Sequence, residues 1–128
     1  DLDFRGERNR GVRTRRKQTF FIDRYLPIYY AGASGDFNLI HIDREFARKQ
    51  GLEANILQGL CTLGIAAGFL IGDGDPGTLK SIKVLFANPV IPGDELTFSI
   101  ESIEADVGFS VVNQNGDEIL SECSAELS

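Results

Sequence analysis

The second half of the chain alternates apolar and polar residues with a period of two. Residues 95–101 alternate strictly, and residues 107–111 repeat the pattern. A period of two is typical of strands that bury one face. Asn115-Gly116 follows and predicts a hairpin turn. Further strands are predicted at residues 79–87 and along the C-terminal segment, where one face carries Ile119, Ser121, Cys123, Ala125 and Leu127.

A continuous apolar run precedes these strands. Ile56 to Gly72 is free of charged residues and predicts a helix over residues 59–71, apolar on nearly every side and therefore enclosed by other structure. A membrane-spanning helix needs about 20 mostly apolar residues. This run is shorter and contains Gln58, Thr62 and four glycines. We therefore expect a buried core helix and no membrane span.

The N-terminal part mixes short elements. A β-prone run covers residues 18–22, and Asp23 is a candidate N-cap for a helix with Pro27 near its first turn. Residues 35–43 favour an irregular polar loop, and residues 44–50 a short helix. The order predicts an α+β domain, with an antiparallel sheet wrapped around one long central helix. One helix covers only part of such a sheet, which predicts a homodimer, with a heterodimer as the alternative.

Length and composition are those of one ordinary globular domain. The chain has 128 residues, 42% of them hydrophobic and 25% charged. Its two cysteines do not suggest a disulfide framework, so a cytoplasmic location is expected.

Charge is distributed unevenly. Residues 5–17 hold seven basic residues and one acid, although the net charge is −6. We divide the chain into a basic arm, residues 1–17, that is solvated and disordered or binds an anion such as coenzyme phosphates, and a domain, residues 18–128. The arm lacks interleaved aromatic residues and a nucleic-acid-binding module, so no nucleic acid is expected as a partner.

The polar loop carries the candidate chemistry. It holds the only histidine, His41, together with Asp36 and Asn38 at positions i, i+2 and i+5. In an extended segment Asp36 and Asn38 share a face, and a curved loop can bring His41 to them. A carboxylate and an imidazole can then hold one water and move two protons. The structural alternative is a hydrogen-bonded pair that caps the helix beginning near Arg44.

The sequence around this loop resembles a family signature. The family motif runs aromatic, small residues, Gly-Asp-x-Asn-Pro-apolar-His-x-Asp/Ser, and this chain has Tyr30-Ala-Gly-Ala-Ser-Gly-Asp36-Phe-Asn38-Leu-Ile-His41-Ile-Asp43. The resemblance is to the MaoC-like family, the R-specific enoyl-CoA hydratases and 3-hydroxyacyl-thioester dehydratases. It extends over roughly residues 20–128, including the start of the central helix and Pro92-Gly93-Asp94. Two departures are Leu39 in place of proline and Gln58 in place of histidine.

The resemblance implies a single hotdog fold and a hydro-lyase. The expected reaction is reversible hydration of a trans-2-enoyl thioester to a (3R)-3-hydroxyacyl thioester, on coenzyme A or acyl carrier protein, in fatty-acid or polyketide metabolism. Asp36 and His41 would be the catalytic pair, Asn38 would orient the water, and the Gly59 backbone N–H would stabilise the oxyanion. The remaining pocket candidates are Tyr30, Ser34, Gln58 and Leu60.

No cofactor is expected, and one histidine with two separated cysteines predicts no metal site. Two rival functions remain. A hotdog acyl thioesterase usually needs an acid on or near the central helix, and Ile56 to Gly72 has none. A non-catalytic partner subunit of a heterodimeric dehydratase generally lacks the Asp/His pair that this chain retains.

Overall fold

The fold is known from a computed structural model, which describes residues 13–103 and 105–128. In chain order the elements are β1 (Arg13–Phe21), α1 (Leu26–Ser34), α2 (Leu39–Ile42), α3 (Arg44–Lys49), α4 (Gly59–Ile71), a 3-10 turn (Pro76–Thr78), β2 (Leu79–Phe86), β3 (Glu95–Ile103), β4 (Asp106–Val112) and β5 (Glu118–Leu127).

The five strands form one antiparallel sheet in the order β1-β3-β4-β5-β2, which leaves β1 and β2 at its edges. Helix α4 packs across the sheet and contacts β2 and β3. This confirms the predicted α+β architecture of a sheet around one central helix. The larger of two buried apolar clusters in the described part of the chain contains Ile22, Leu57, Cys61, Ala66, Val90, Leu96, Phe98, Val111, Ile119 and Leu120.

The first strand begins earlier than predicted, so the boundary at residue 18 needs correction. Residues 13–17 were assigned to the arm, but they pair with β3 as part of β1. Arg15 Nε lies 2.9 Å from Glu101 Oε2, and Arg16 Nη2 donates to the Leu70 carbonyl at 3.2 Å. Arg15 thus contacts a neighbouring strand of the sheet, and Arg16 contacts the C-terminal end of α4. The rest of the predicted arm, residues 1–12, lies outside the described residues.

Two local predictions near the N-terminus are also wrong. Helix α1 begins at Leu26 because Asp23 closes a turn instead of capping the helix, with its Oδ2 accepting the Tyr25 N–H at 2.9 Å. The predicted irregular loop contains α2, whose first turn is capped by Asn38 Oδ1, which accepts the Ile40 N–H at 3.2 Å. A short polar cap therefore produces helical structure where composition favoured a loop.

The last strand departs from strict alternation. Ile119 and Leu120 are consecutive and both buried, and Glu122 has a φ of 50°. The pairing registers of β5 with β2 and β4 shift in the same region. Such an irregularity turns neighbouring side chains to the same face.

Helix α4 has the predicted bounds, but its surroundings differ from the prediction. Its face toward the sheet is buried, whereas Leu60 is 65% exposed and Gly64 and Gly68 are exposed in the single chain.

Candidate active site

His41 is held rigidly at the edge of the core. It lies on α2, and its Nδ1 is 2.8 Å from the Ile56 carbonyl oxygen. Asn55 Nδ2 donates to the His41 carbonyl at 3.1 Å, and the Ile56 N–H donates to the Ile40 carbonyl at 2.9 Å. Residues 55–56, which lead into α4, thus fix both the ring and the main chain of this short helix.

Asp36 meets this histidine from the preceding loop. Its Oδ2 is 3.5 Å from His41 Nε2, and the two side chains are 48% and 11% exposed respectively. The other carboxylate oxygen, Oδ1, accepts the Asn38 N–H at 3.3 Å, and Ser34 Oγ accepts the Asp36 N–H at 3.1 Å. The structure therefore brings Asp36 and His41 together, with Ser34 and Asn38 shaping the turn that carries the carboxylate.

The hydrogen-bond partners determine what the pair can accept. A carbonyl oxygen only accepts, so the contact with Ile56 requires that Nδ1 carry the proton. In the neutral ring Nε2 is then an acceptor, and it faces the carboxylate of Asp36, which is also an acceptor. A water molecule has two O–H donors and fits between two acceptors. This arrangement can therefore hold one water molecule and accept a proton from it.

A largely apolar cavity of about 320 Å³ opens beside His41. Its wall includes Gly59 and Thr62 from α4, with the remaining lining from Ile56, Leu57, Phe86, Ala87, Asn88, Pro89, Val90, Ile119 and Leu120. Gly59 is the first residue of α4, where N–H groups lack intrahelical acceptors and the helix dipole favours negative charge.

Gly59 also lies close to an aromatic ring. An added Cβ would lie 3.0 Å from Cε1 of Phe86, which is more than half exposed. The ring therefore packs closely over the start of the helix, and a larger residue at position 59 would displace this exposed side chain by a few tenths of an ångström.

The predicted pocket residues Tyr30, Leu60 and Gln58 lie in three different environments. Tyr30 is half-buried against the main core and Leu60 points to solvent, so neither lies on the cavity wall. Leu60 is turned away because successive helical residues point about 100° apart. Gln58 is only 2% exposed, and its Nε2 donates to the Pro27 and Asp36 carbonyls at 3.0 and 3.5 Å.

Sequence reasoning missed part of the cavity wall. Thr62 lies one helical turn beyond Gly59 and is almost fully buried. Its hydroxyl is the only one in the apolar run from Ile56 to Gly72, and this is the sequence signal that marks it. Phe86 and Val90 come from β2 and the segment after it, and only tertiary structure brings them to His41.

No metal-binding cluster of His, Cys, Asp and Glu occurs among residues 13–103 and 105–128. Over the same residues, no helix has the length and hydropathy needed to cross a membrane. Burial raises the pKa of the Cys61 thiol, and burial together with the nearby Glu118 raises that of Cys123 to about 11.

The architecture recurs in solved structures. The full-length peroxisomal multifunctional enzyme type 2 from Drosophila melanogaster superposes with a TM-score of 0.82 and 31% identity, over 88% of this chain and 22% of that one. This chain therefore has the hotdog fold. A family model described as the MaoC like domain matches residues 7–122, and the chain belongs to that family. The resemblance seen in the sequence is confirmed.

Relatives in the same family are longer proteins. The chain is 39% identical over 98 residues to the peroxisomal multifunctional enzyme type 2 of Mus musculus, which covers 73% of this chain and 13% of that protein. It is 38% identical over 99 residues to a probable enoyl-CoA hydratase 2 of Dictyostelium discoideum, covering 73% and 34%. The chain thus spans about a third or less of the length of these two relatives.

Proposed function

We propose that this chain catalyses the reversible hydration of a trans-2-enoyl thioester to the (3R)-3-hydroxyacyl thioester. The observation that carries the proposal is the distance of 3.5 Å between Asp36 Oδ2 and His41 Nε2. His41 and Gly59 both line the adjoining cavity. Membership of the MaoC-like family and a relative named as an enoyl-CoA hydratase 2 support it.

The proposed mechanism uses the water between the two acceptors. Its oxygen attacks the β-carbon while one member of the pair takes a proton from it, and a proton is delivered to the α-carbon on the same face. The water thus adds across the double bond without a further reactant. Negative charge develops on the thioester oxygen, where the Gly59 N–H at the start of α4 stabilises it. Asn38 orients the water.

Purified protein and crotonyl-CoA provide the test, with loss of the enoyl absorbance as the signal. We expect Asp36→Asn and His41→Ala to lower kcat by at least about 10²-fold, the usual scale of general acid–base catalysis, while circular dichroism stays unchanged. Asp73→Asn is the matched control, because Asp73 is exposed in the turn after α4. An active His41→Ala variant would contradict the proposal.

The same preparation separates the rival functions. A thioesterase would release free coenzyme A thiol from a saturated acyl-CoA, which a thiol reagent detects. A non-catalytic partner would be inactive when purified alone and gain activity with a second subunit. A panel of enoyl groups of increasing length, on coenzyme A and on acyl carrier protein, then identifies the preferred thioester.

The homodimer is part of this proposal. Strand β2 is an edge of the sheet, Leu85 and Phe86 on it are 52% and 56% exposed, and Leu60 of α4 is also exposed. A second copy would cover this apolar surface next to the cavity. Light scattering should give twice the mass of the chain, and Leu85→Glu should give the monomer. A monomeric wild-type chain would instead favour the heterodimer.

The cytoplasmic location also stays a prediction. Some relatives have the word peroxisomal in their names, so the location of this chain needs a direct test. A fluorescent fusion protein provides that test. A diffuse signal is expected, and a punctate one would contradict it.

A further inference from the structure

Gln58 joins three parts of the molecule. Its backbone carbonyl accepts N–H groups of the first turn of α4, including that of Cys61 at 2.9 Å. Its side-chain Nε2 donates to Pro27 in the first turn of α1 at 3.0 Å and to the Asp36 carbonyl at 3.5 Å. The side chain is therefore a buried link from the central helix to the loop that carries the carboxylate.

This link matters because the other bonds of Asp36 are local. Its N–H donates to Ser34 and its Oδ1 accepts from Asn38, each only two residues away. Among the described residues, Gln58 makes the only long-range hydrogen bond to the Asp36 main chain. His41 is anchored separately through the Ile56 carbonyl. Gln58 is thus the described contact that joins the Asp36 main chain to the start of α4.

The side-chain oxygen of Gln58 indicates a role beyond stability. Gln58 Oε1 is buried and has no hydrogen-bond partner among the described residues. A buried acceptor without a partner destabilises a fold, and such groups are often retained where function requires them. Both amide hydrogens are used on backbone carbonyls, which assigns the orientation of the amide.

We propose that Gln58 is a positioning residue that holds the Asp36 main chain against the start of α4 and so keeps the carboxylate at His41. The inference rests on the proposed hydratase function for its kinetic consequence, but its structural part can be tested without turnover. A displacement of about 1 Å in a catalytic group can cost about 100-fold in rate, so losing this link should lower kcat while KM is retained.

The test uses Gln58→Met, which keeps the length of the side chain but removes both the donors and the unpartnered acceptor. We expect kcat to fall about 100-fold with KM within twofold. The melting temperature should change little, because losing the bonds to Pro27 and Asp36 is offset by removing the unpartnered acceptor. Gln58→His, the residue that the family usually carries, should restore kcat to within about threefold because a ring N–H can donate. Gln50→Met, at an exposed position, is the matched control.

NMR of the single histidine makes the outcome independent of activity. In the folded protein the nitrogen shifts of His41 report its contact with Asp36, so Gln58→Met should shift Nε2 in the same direction as Asp36→Asn does. Unchanged shifts in Gln58→Met would overturn the inference, as would kcat within twofold of wild type. An inactive wild-type enzyme with the expected shifts would refute the proposed function and leave the positioning role supported.

Discussion

Asn38 offers a substitution series that separates folding from catalysis. Its Oδ1 caps α2 by accepting the Ile40 N–H at 3.2 Å. Within the part of the chain that the structure describes, no other hydrogen bond of this side chain is found, so its Nδ2 is available to the water that we propose between Asp36 and His41. Alanine removes both groups, whereas serine retains a capping oxygen without an amide donor.

The expected magnitudes follow from these contacts. Loss of a helix N-cap costs about 1 kcal/mol, so Asn38→Ala should lower the free energy of unfolding by that amount and Asn38→Ser by less than about 0.5 kcal/mol. His41 should stay in place in both variants, because Ile56 and Asn55 bind it independently of the cap. A hydrogen bond worth about 1.4 kcal/mol in the transition state corresponds to about tenfold in rate. Both variants should therefore lose about tenfold in kcat.

Two measurements test this reasoning. Urea unfolding followed by circular dichroism gives the stability, since the chain has no tryptophan to report it by fluorescence. Hydration of crotonyl-CoA gives kcat at a temperature where each variant is folded. If Asn38→Ser recovers both stability and kcat, the side chain is only a cap and the water-orienting role is refuted. If Asn38→Ala is as stable as wild type, the cap itself contributes nothing.

Three further substitutions or probes are informative. Gly59→Ala should lower kcat, because the added Cβ would lie 3.0 Å from Phe86. The double variant with Phe86→Ala should recover part of the lost kcat. If kcat does not recover, this contact is excluded as the cause. Arg16→Ala should lower the free energy of unfolding by about 1 kcal/mol without changing kcat, since it removes the bond to Leu70. Cys123, with its pKa raised to about 11, should react slowly with iodoacetamide at pH 8 and faster as the pH approaches 11; rapid labelling of the folded protein at pH 8 would contradict the burial.

The elements that sequence predicted best carry one simple pattern, either an unbroken apolar run or a strict alternation of apolar and polar residues. The central helix was predicted at residues 59–71 and has those bounds, because an apolar run between Gln58 and Gly72 leaves little choice. The alternation in β3 and β4 also placed their buried residues correctly. In β5 the same rule was wrong at Leu120, because the irregularity at Glu122 depends on how neighbouring strands pair.

The candidate site was predicted as far as its local sequence allows. Asp36 and His41 are five residues apart, so the loop that joins them could be recognised without the fold. The anchoring of His41 by Ile56 and the link from Gln58 to Asp36 join segments 15 and 22 residues apart, and no periodicity marks such contacts. Leu60 is a pocket candidate from the sequence, but the turn of the helix directs it to solvent in the single chain.

The arrangement of the cavity has a consequence for protein engineering. The groups proposed to react lie in one continuous stretch, residues 36–59, which also lines part of the cavity. Further lining comes from residues 86–90 and from Ile119 and Leu120 in the sheet. Under the proposed function, part of the acyl chain would thus contact segments that carry none of the reacting groups. A chimera that takes residues 86–90 from a homologue with another chain-length preference should alter which thioester is accepted while the reaction itself is conserved.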